Sequence, residues 1–150
     1  MTESTTDGRP PTAVGPSAPS WKGAVRGTPS PTWLTIVEQT LARAFAATPD
    51  LRDDDRQAFE LAAVEICSNQ IVHRPEDGGW CSLRLLIDAD ELFAEFRDDG
   101  PTFTLNPQYD MPDVEAEAGR GLALVTMILD DFSHERNGEE NQWLLSKRRQ

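Results

Sequence analysis

Apolar residues recur every three or four positions from Thr32 to about Ala47, at Trp33, Leu34, Ile36, Val37, Leu41, Ala44 and Phe45, with Pro31 ahead and Pro49 behind. This spacing predicts an amphipathic helix that a proline opens and another closes. A second helical pattern starts at Asp53-Asp54-Asp55, where carboxylates suit the positive end of a helix dipole and read as capping, and it runs to His73 before Pro75. Here Phe59, Leu61, Ala62, Ala63, Val64, Ile66, Cys67, Ile71 and Val72 spread almost all round the helix, so it should be largely buried. Its polar residues then need a reason. Glu65, Asn69 and His73 fall at i, i+4 and i+8 and project from one narrow stripe.

After Asp77-Gly78-Gly79 the period changes to two. Leu83, Leu85 and Ile87 alternate with Ser82, Arg84 and Leu86, and Leu92, Ala94 and Phe96 alternate with Glu95 and Arg97, which predicts two strands joined at Asp88 to Asp90. A long proline-bearing, acidic loop follows from Asp98 to about Ala118. Gly119-Arg120-Gly121 then opens a short helix, and Asn137-Gly138 reads as a hairpin turn between two last strands. Trp21 to Thr28 could add an edge strand. The order of elements predicts an α+β two-layer sandwich, with helices on one face of a mixed, mainly antiparallel sheet.

Composition divides the chain. Six of the 11 prolines fall within residues 1–31, and residues 1–20 carry almost no large apolar side chain, so they read as a disordered tail ahead of a single domain at 21–150. No leader-like or spanning stretch is visible, so the protein reads as cytoplasmic without a membrane partner. The formal charge of −12 disfavours direct nucleic-acid binding and suits a basic protein partner instead. Cys67 and Cys81 lack metal-ligand spacing and read as buried thiols. The exposed face of the first helix could serve a homodimer, although core packing is the simpler fate of its Trp33.

Three local features carry chemistry. Glu65 and Asn69 set a carboxylate able to deprotonate a hydroxyl one turn from an amide oxygen able to ligate Mg²⁺; a polar pair at a helix edge is the plainer alternative. Asp98-Asp99-Gly100 ends a strand with a carboxylate that could accept an adenine amine, beside a residue that permits close approach, or it is merely a turn. Gly119-Arg120-Gly121-Leu122 could present helix N-terminal amides to phosphates, or simply start a helix.

Taken in order, these segments resemble a known family. AVEICSNQIVH at 63–73, FRDDGPTF at 96–103 and GRGLALVTMILDDF at 119–132 are similar to the N-box and the two glycine boxes of the histidine-kinase-type ATP-binding fold, the GHKL superfamily. Within it the chain looks like the stand-alone anti-sigma-factor serine/threonine kinases, over about residues 31–148. The resemblance implies a Bergerat-type ATP-binding domain that uses ATP and Mg²⁺. It implies that Glu65 is the general base and Asn69 the Mg²⁺ ligand, that Asp98 binds the adenine amine and that Gly100 shapes the pocket floor. Gly119 and Gly121 would let the chain fold over the triphosphate, Arg120 and Leu122 would line its end, and residues 103–118 would form a lid. Thr102 stands where the family's first glycine box usually has its second glycine, with Pro101 before it. The implied role is phosphorylation of a serine or threonine on an anti-anti-sigma (STAS) partner together with sequestration of a sigma factor. A sensor histidine kinase would need a helical hairpin with a phosphoacceptor histidine ahead of the domain. The alternative is a nucleotide-responsive protein-binding module with the same fold and no useful kinase activity.

Overall fold

The computed structural model describes residues 20–101 and 114–150, with side chains from residue 121 onward in the second segment. Strand β1 (Trp21–Gly27) leads into helices α1 (Pro31–Ala46) and α2 (Asp53–Val72). Strands β2 (Cys81–Ile87) and β3 (Glu91–Asp98) follow, then α3 (Val114–Ile128), β4 (Asp131–Asn137) and β5 (Glu140–Arg148). Apart from Ser20, the tail expected at 1–20 lies outside the described residues, as do residues 103–113 of the expected lid.

The strands form one sheet in the order β1-β2-β3-β5-β4. Where the sequence left room for a mixed sheet, every described pairing is antiparallel. The period-two pattern fixes the register: Leu83 opposes Phe96, Leu85 opposes Ala94 and Ile87 opposes Leu92, which puts all six on the helix-facing side. There they meet Trp33, Val37 and Leu41 of α1, Phe59, Ala62 and Ile66 of α2, and Leu122 and Val125 of α3 in one buried core. The weakly signalled β1 is present at the sheet edge, paired with β2 from Trp21–Ile87 to Gly27–Cys81. The β4–β5 hairpin turns at Gly138, whose φ of 65° favours glycine.

Several expectations shift. Pro31 stands at the start of α1 as read, and Trp33 is fully buried in the core, the simpler of its two expected fates. The residue that caps α2 is Arg52, and no side chain caps it. Asp53 pairs with Arg56 one turn on. Asp55 is a tertiary group: it is 1% exposed, its Oδ1 lies 3.7 Å from Lys147 Nζ, and its Oδ2 accepts the Gln150 main-chain N–H at 2.9 Å. Its carboxylate ties the C-terminal segment to the helix layer as well as facing the dipole. Helix α2 is buried along most of its girth, yet Leu61 and Val72 are exposed. Both cysteines are buried thiols, each pushed up to about 12 chiefly by burial.

The largest departure is α3. It begins at Val114, five residues ahead of Gly119, so Gly119-Arg120-Gly121 lies inside the helix instead of opening it. The run Val114-Glu115-Ala116-Glu117-Ala118 is rich in good helix formers with acids suited to a first turn, and this outweighs the two glycines. Amides at 119 and 121 lie beyond the four N–H groups that a helix start leaves unpaired. In this conformation they are not N-terminal anion donors.

Candidate functional site

The polar site lies where β3 ends. Alternation continues along β3 and β5, so Phe96 and Asp98 share the inner face with their partners Trp143 and Asn141. The apolar floor of the sheet thus gives way to a polar one at the sheet end. Asp98 is 5% exposed. Its Oδ1 accepts from the Gly100 amide at 2.9 Å and from Asn141 Nδ2 at 2.8 Å. Its Oδ2 accepts from Gln70 Nε2 and Trp143 Nε1, each at 3.1 Å. Four donors converge on a carboxylate with about four lone-pair sites, which makes its burial affordable.

Each amide in this set is held by its other end. Gln70 Oε1 accepts from the buried indole N–H of Trp33 at 2.8 Å, which ties α1 to α2 and to Asp98, and its Nε2 also reaches Arg97 O at 3.1 Å. Asn141 Oδ1 lies 3.0 Å from His134 Nε2 and accepts from Arg136 Nη1 at 3.3 Å. The His134 ring, which carried no expectation, also lies against Trp143 with centroids 4.2 Å apart. Arg136 Nη1 donates to the Gly100 carbonyl at 2.6 Å, and Asn141 Nδ2 reaches the Gly100 and Pro101 carbonyls at 3.2 Å each. The turn that leaves β3 is therefore clamped from the last hairpin. Gly100 itself is required by close packing, since a Cβ there would sit 2.8 Å from the His73 carbonyl oxygen.

Above this floor runs the polar stripe of α2. Asn69 is 4% exposed, and its Nδ2 donates to the Glu65 carbonyl at 2.9 Å. Asn69, His73, Asp98, Pro101 and Trp143 border a small cavity with barely room for one water. Glu65 lies one turn nearer the start of α2, half-buried, and burial pushes its carboxyl above the ordinary carboxylate range. It faces α3: a Cβ built on Gly121 would overlap the Glu65 carboxylate. Gly121 thus meets Glu65 through the absence of a side chain.

The structure therefore brings Asn69, Asp98 and Gly100 to one place and sets Glu65 against Gly121 beside them. Leu122 is 5% exposed and belongs to the buried core. The side chain of Arg120 lies outside the described residues. Sequence reasoning missed Gln70, Asn141 and Trp143. Gln70 was a second amide on a mostly apolar helix, a signal that could have been used; Asn141 and Trp143 become legible only through a cross-strand register that spans more than forty residues.

As to a cation and a nucleotide, the donor set is suitable. With its nitrogen anchored to Glu65 O, Asn69 keeps its amide oxygen as a hard ligand, and Mg²⁺ commonly takes one or two protein oxygens plus ligand phosphates. Among the described residues no group of three or more His, Cys, Asp and Glu side chains gathers as a metal cage. Asp98 is chemically the kind of acceptor a purine amine needs, and in this conformation its lone pairs are taken by four donors of the protein itself.

Fold and site define a two-layer α+β domain with its polar site at the sheet end, between α2 and the last hairpin. The sequence matches the profile of the histidine kinase-like ATPase domain over residues 29–147, and the chain belongs to that family. No match is found among curated protein sequences. Among solved structures, the chain is similar to the RsbU and RsbW domains of Rv1364c from Mycobacterium tuberculosis, with a TM-score of 0.58 and 15% identity. That likeness covers 85% of this chain and 32% of the other, so the chain spans about a third of that protein's length. At this identity the likeness concerns the fold. No helix among the described residues is long and apolar enough to cross a membrane.

Proposed function

We propose that this protein is an ATP-dependent anti-sigma regulator, which transfers the γ-phosphoryl group of ATP to a serine or threonine of an anti-anti-sigma STAS partner and sequesters a sigma factor. The observation that carries the reading is the pairing of Glu65 with Asn69 on one helix stripe, next to a buried Asp98 at the end of β3. In this reading Asp98 takes the adenine amine and Asn69 holds Mg²⁺, which supplies charge neutralisation on the phosphates when bound. Glu65 accepts the proton of the attacking hydroxyl. Its raised affinity for protons suits a general base that must first remove a proton and then release it. The acidity of the domain favours basic protein partners.

The test is transfer of labelled γ-phosphate from Mg·ATP to a STAS-domain protein, compared with the Glu65→Gln variant. Transfer by the wild type and its loss in the variant support the reading. Binding of ATP without transfer to any STAS partner would leave a nucleotide-responsive binding module. Thr102 and Pro101, in place of a glycine-rich hinge, are the feature that favours that second reading.

A further inference from the structure

Every acceptor site of Asp98 is occupied by the protein itself. The backbone amide of Gly100 cannot withdraw without moving the turn. Asn141 is fixed by His134 and Arg136, and Gln70 by Trp33 and Arg97 O. The fourth donor is the indole of Trp143, 2% exposed, at the wall of the small cavity that Asp98 and Asn69 also border. An indole brings a single N–H and no acceptor. A purine amine that approaches Asp98 therefore meets a carboxylate whose acceptor positions are already taken.

We propose that Trp143 sets nucleotide affinity by competing with the nucleobase for Asp98, so that binding requires the Trp143 indole to give up Asp98 Oδ2. The inference rests on the assignment of Asp98 as the base-recognition residue. Trp143 is here a positioning residue that holds the site closed, with Gln70 and Asn141 as the frame it closes against. Its N–H leaves a strong bond to a charged acceptor when the base enters, and part of the ligand's binding energy is consumed in breaking it. Removing that N–H while keeping an aromatic ring should make binding tighter. A tryptophan that merely packs the site would give the opposite result, because its truncation loosens the pocket.

The experiment compares Mg·ATP binding to wild type and Trp143→Phe by calorimetry and follows the four indole N–H signals of the wild type by ¹H–¹⁵N NMR. Tighter binding by about tenfold or more in Trp143→Phe, the equivalent of one hydrogen bond to a charged group, is expected. So is a shift of the Trp143 indole signal on saturation of the wild type with Mg·ATP. Equal or weaker binding by a folded Trp143→Phe, or a Trp143 indole signal unmoved in ATP-saturated wild type, overturns the proposal and leaves the ATP site standing. If neither protein binds millimolar Mg·ATP, the assignment of the site falls, and the competition with it. Should Trp143→Phe not fold, the wild-type indole signal decides alone.

Discussion

Asp98→Asn is the sharpest perturbation of the polar floor, because it changes one atom and keeps the shape. Either carboxylate oxygen that becomes NH₂ then faces two donors: Gly100 N–H with Asn141 Nδ2, or Gln70 Nε2 with Trp143 Nε1. Neither the backbone amide nor the indole can reverse its polarity. Flipping Asn141 would turn its amide nitrogen toward Arg136, and flipping Gln70 would turn its nitrogen toward the Trp33 indole. In either orientation two buried donors lose their bond to the carboxylate, although Asn141 Nδ2 keeps the Gly100 and Pro101 carbonyls and Gln70 Nε2 keeps Arg97 O, and hydrogen bonds to a charged group are each worth about 1.5–3 kcal/mol. Partial relaxation brings the expected loss to about 3 kcal/mol, a large part of the roughly 5–15 kcal/mol that stabilises a domain. At about 2–4 °C per kcal/mol for a chain of this size, Tm should fall by about 6–12 °C. Thermal unfolding followed by circular dichroism, with urea melts to confirm an unchanged m-value, measures it. A fall of less than about 2 °C would refute the reasoning, since it would mean that the four donors do not depend on the carboxylate. The same variant should lose Mg·ATP binding on the proposed reading.

Glu65→Gln should abolish phosphoryl transfer yet raise stability at neutral pH. Burial lifts the folded-state pKa of Glu65 above its ordinary 4.5, so ionising it costs stability as pH rises through 4.5 to the folded value. The Tm advantage of the variant should therefore be present at pH 7 and vanish below 4.5, and an advantage independent of pH would count against a buried carboxylate. Gly121→Ala should displace the flexible end of Glu65, so transfer should fall at least tenfold while stability changes by no more than about 1 kcal/mol, the helix-propensity gain of alanine offsetting the shift; full activity in this variant would separate Gly121 from Glu65. Asp55→Asn should cost about 1–3 kcal/mol in urea melts, because it strips charge from a buried partner of Lys147, whereas Asp54→Asn should stay within about 0.5 kcal/mol. Equal effects would return all three aspartates to a shared role at the helix start.

The sequence by itself determined what depends on local periodicity. Alternation at Leu83, Leu85 and Ile87 and at Leu92, Ala94 and Phe96 specified two strands with one buried face, since a register slip would expose every one of these side chains. The spacing of Glu65 and Asn69 placed them on one stripe, and the strand end at Asp98 located the buried carboxylate. Tertiary structure decided what depends on partners distant in the chain. It turned Asp55 into a ligand for Lys147, placed Leu122 in the core, and carried α3 back through two glycines to Val114, where neighbouring helix formers outweighed a local signal for a loop. It also surrounded Asp98 with Gln70, Asn141 and Trp143. A carboxylate can be read from one position, but the donors that permit its burial are set by strand register and helix docking, and those exist only once the chain has folded.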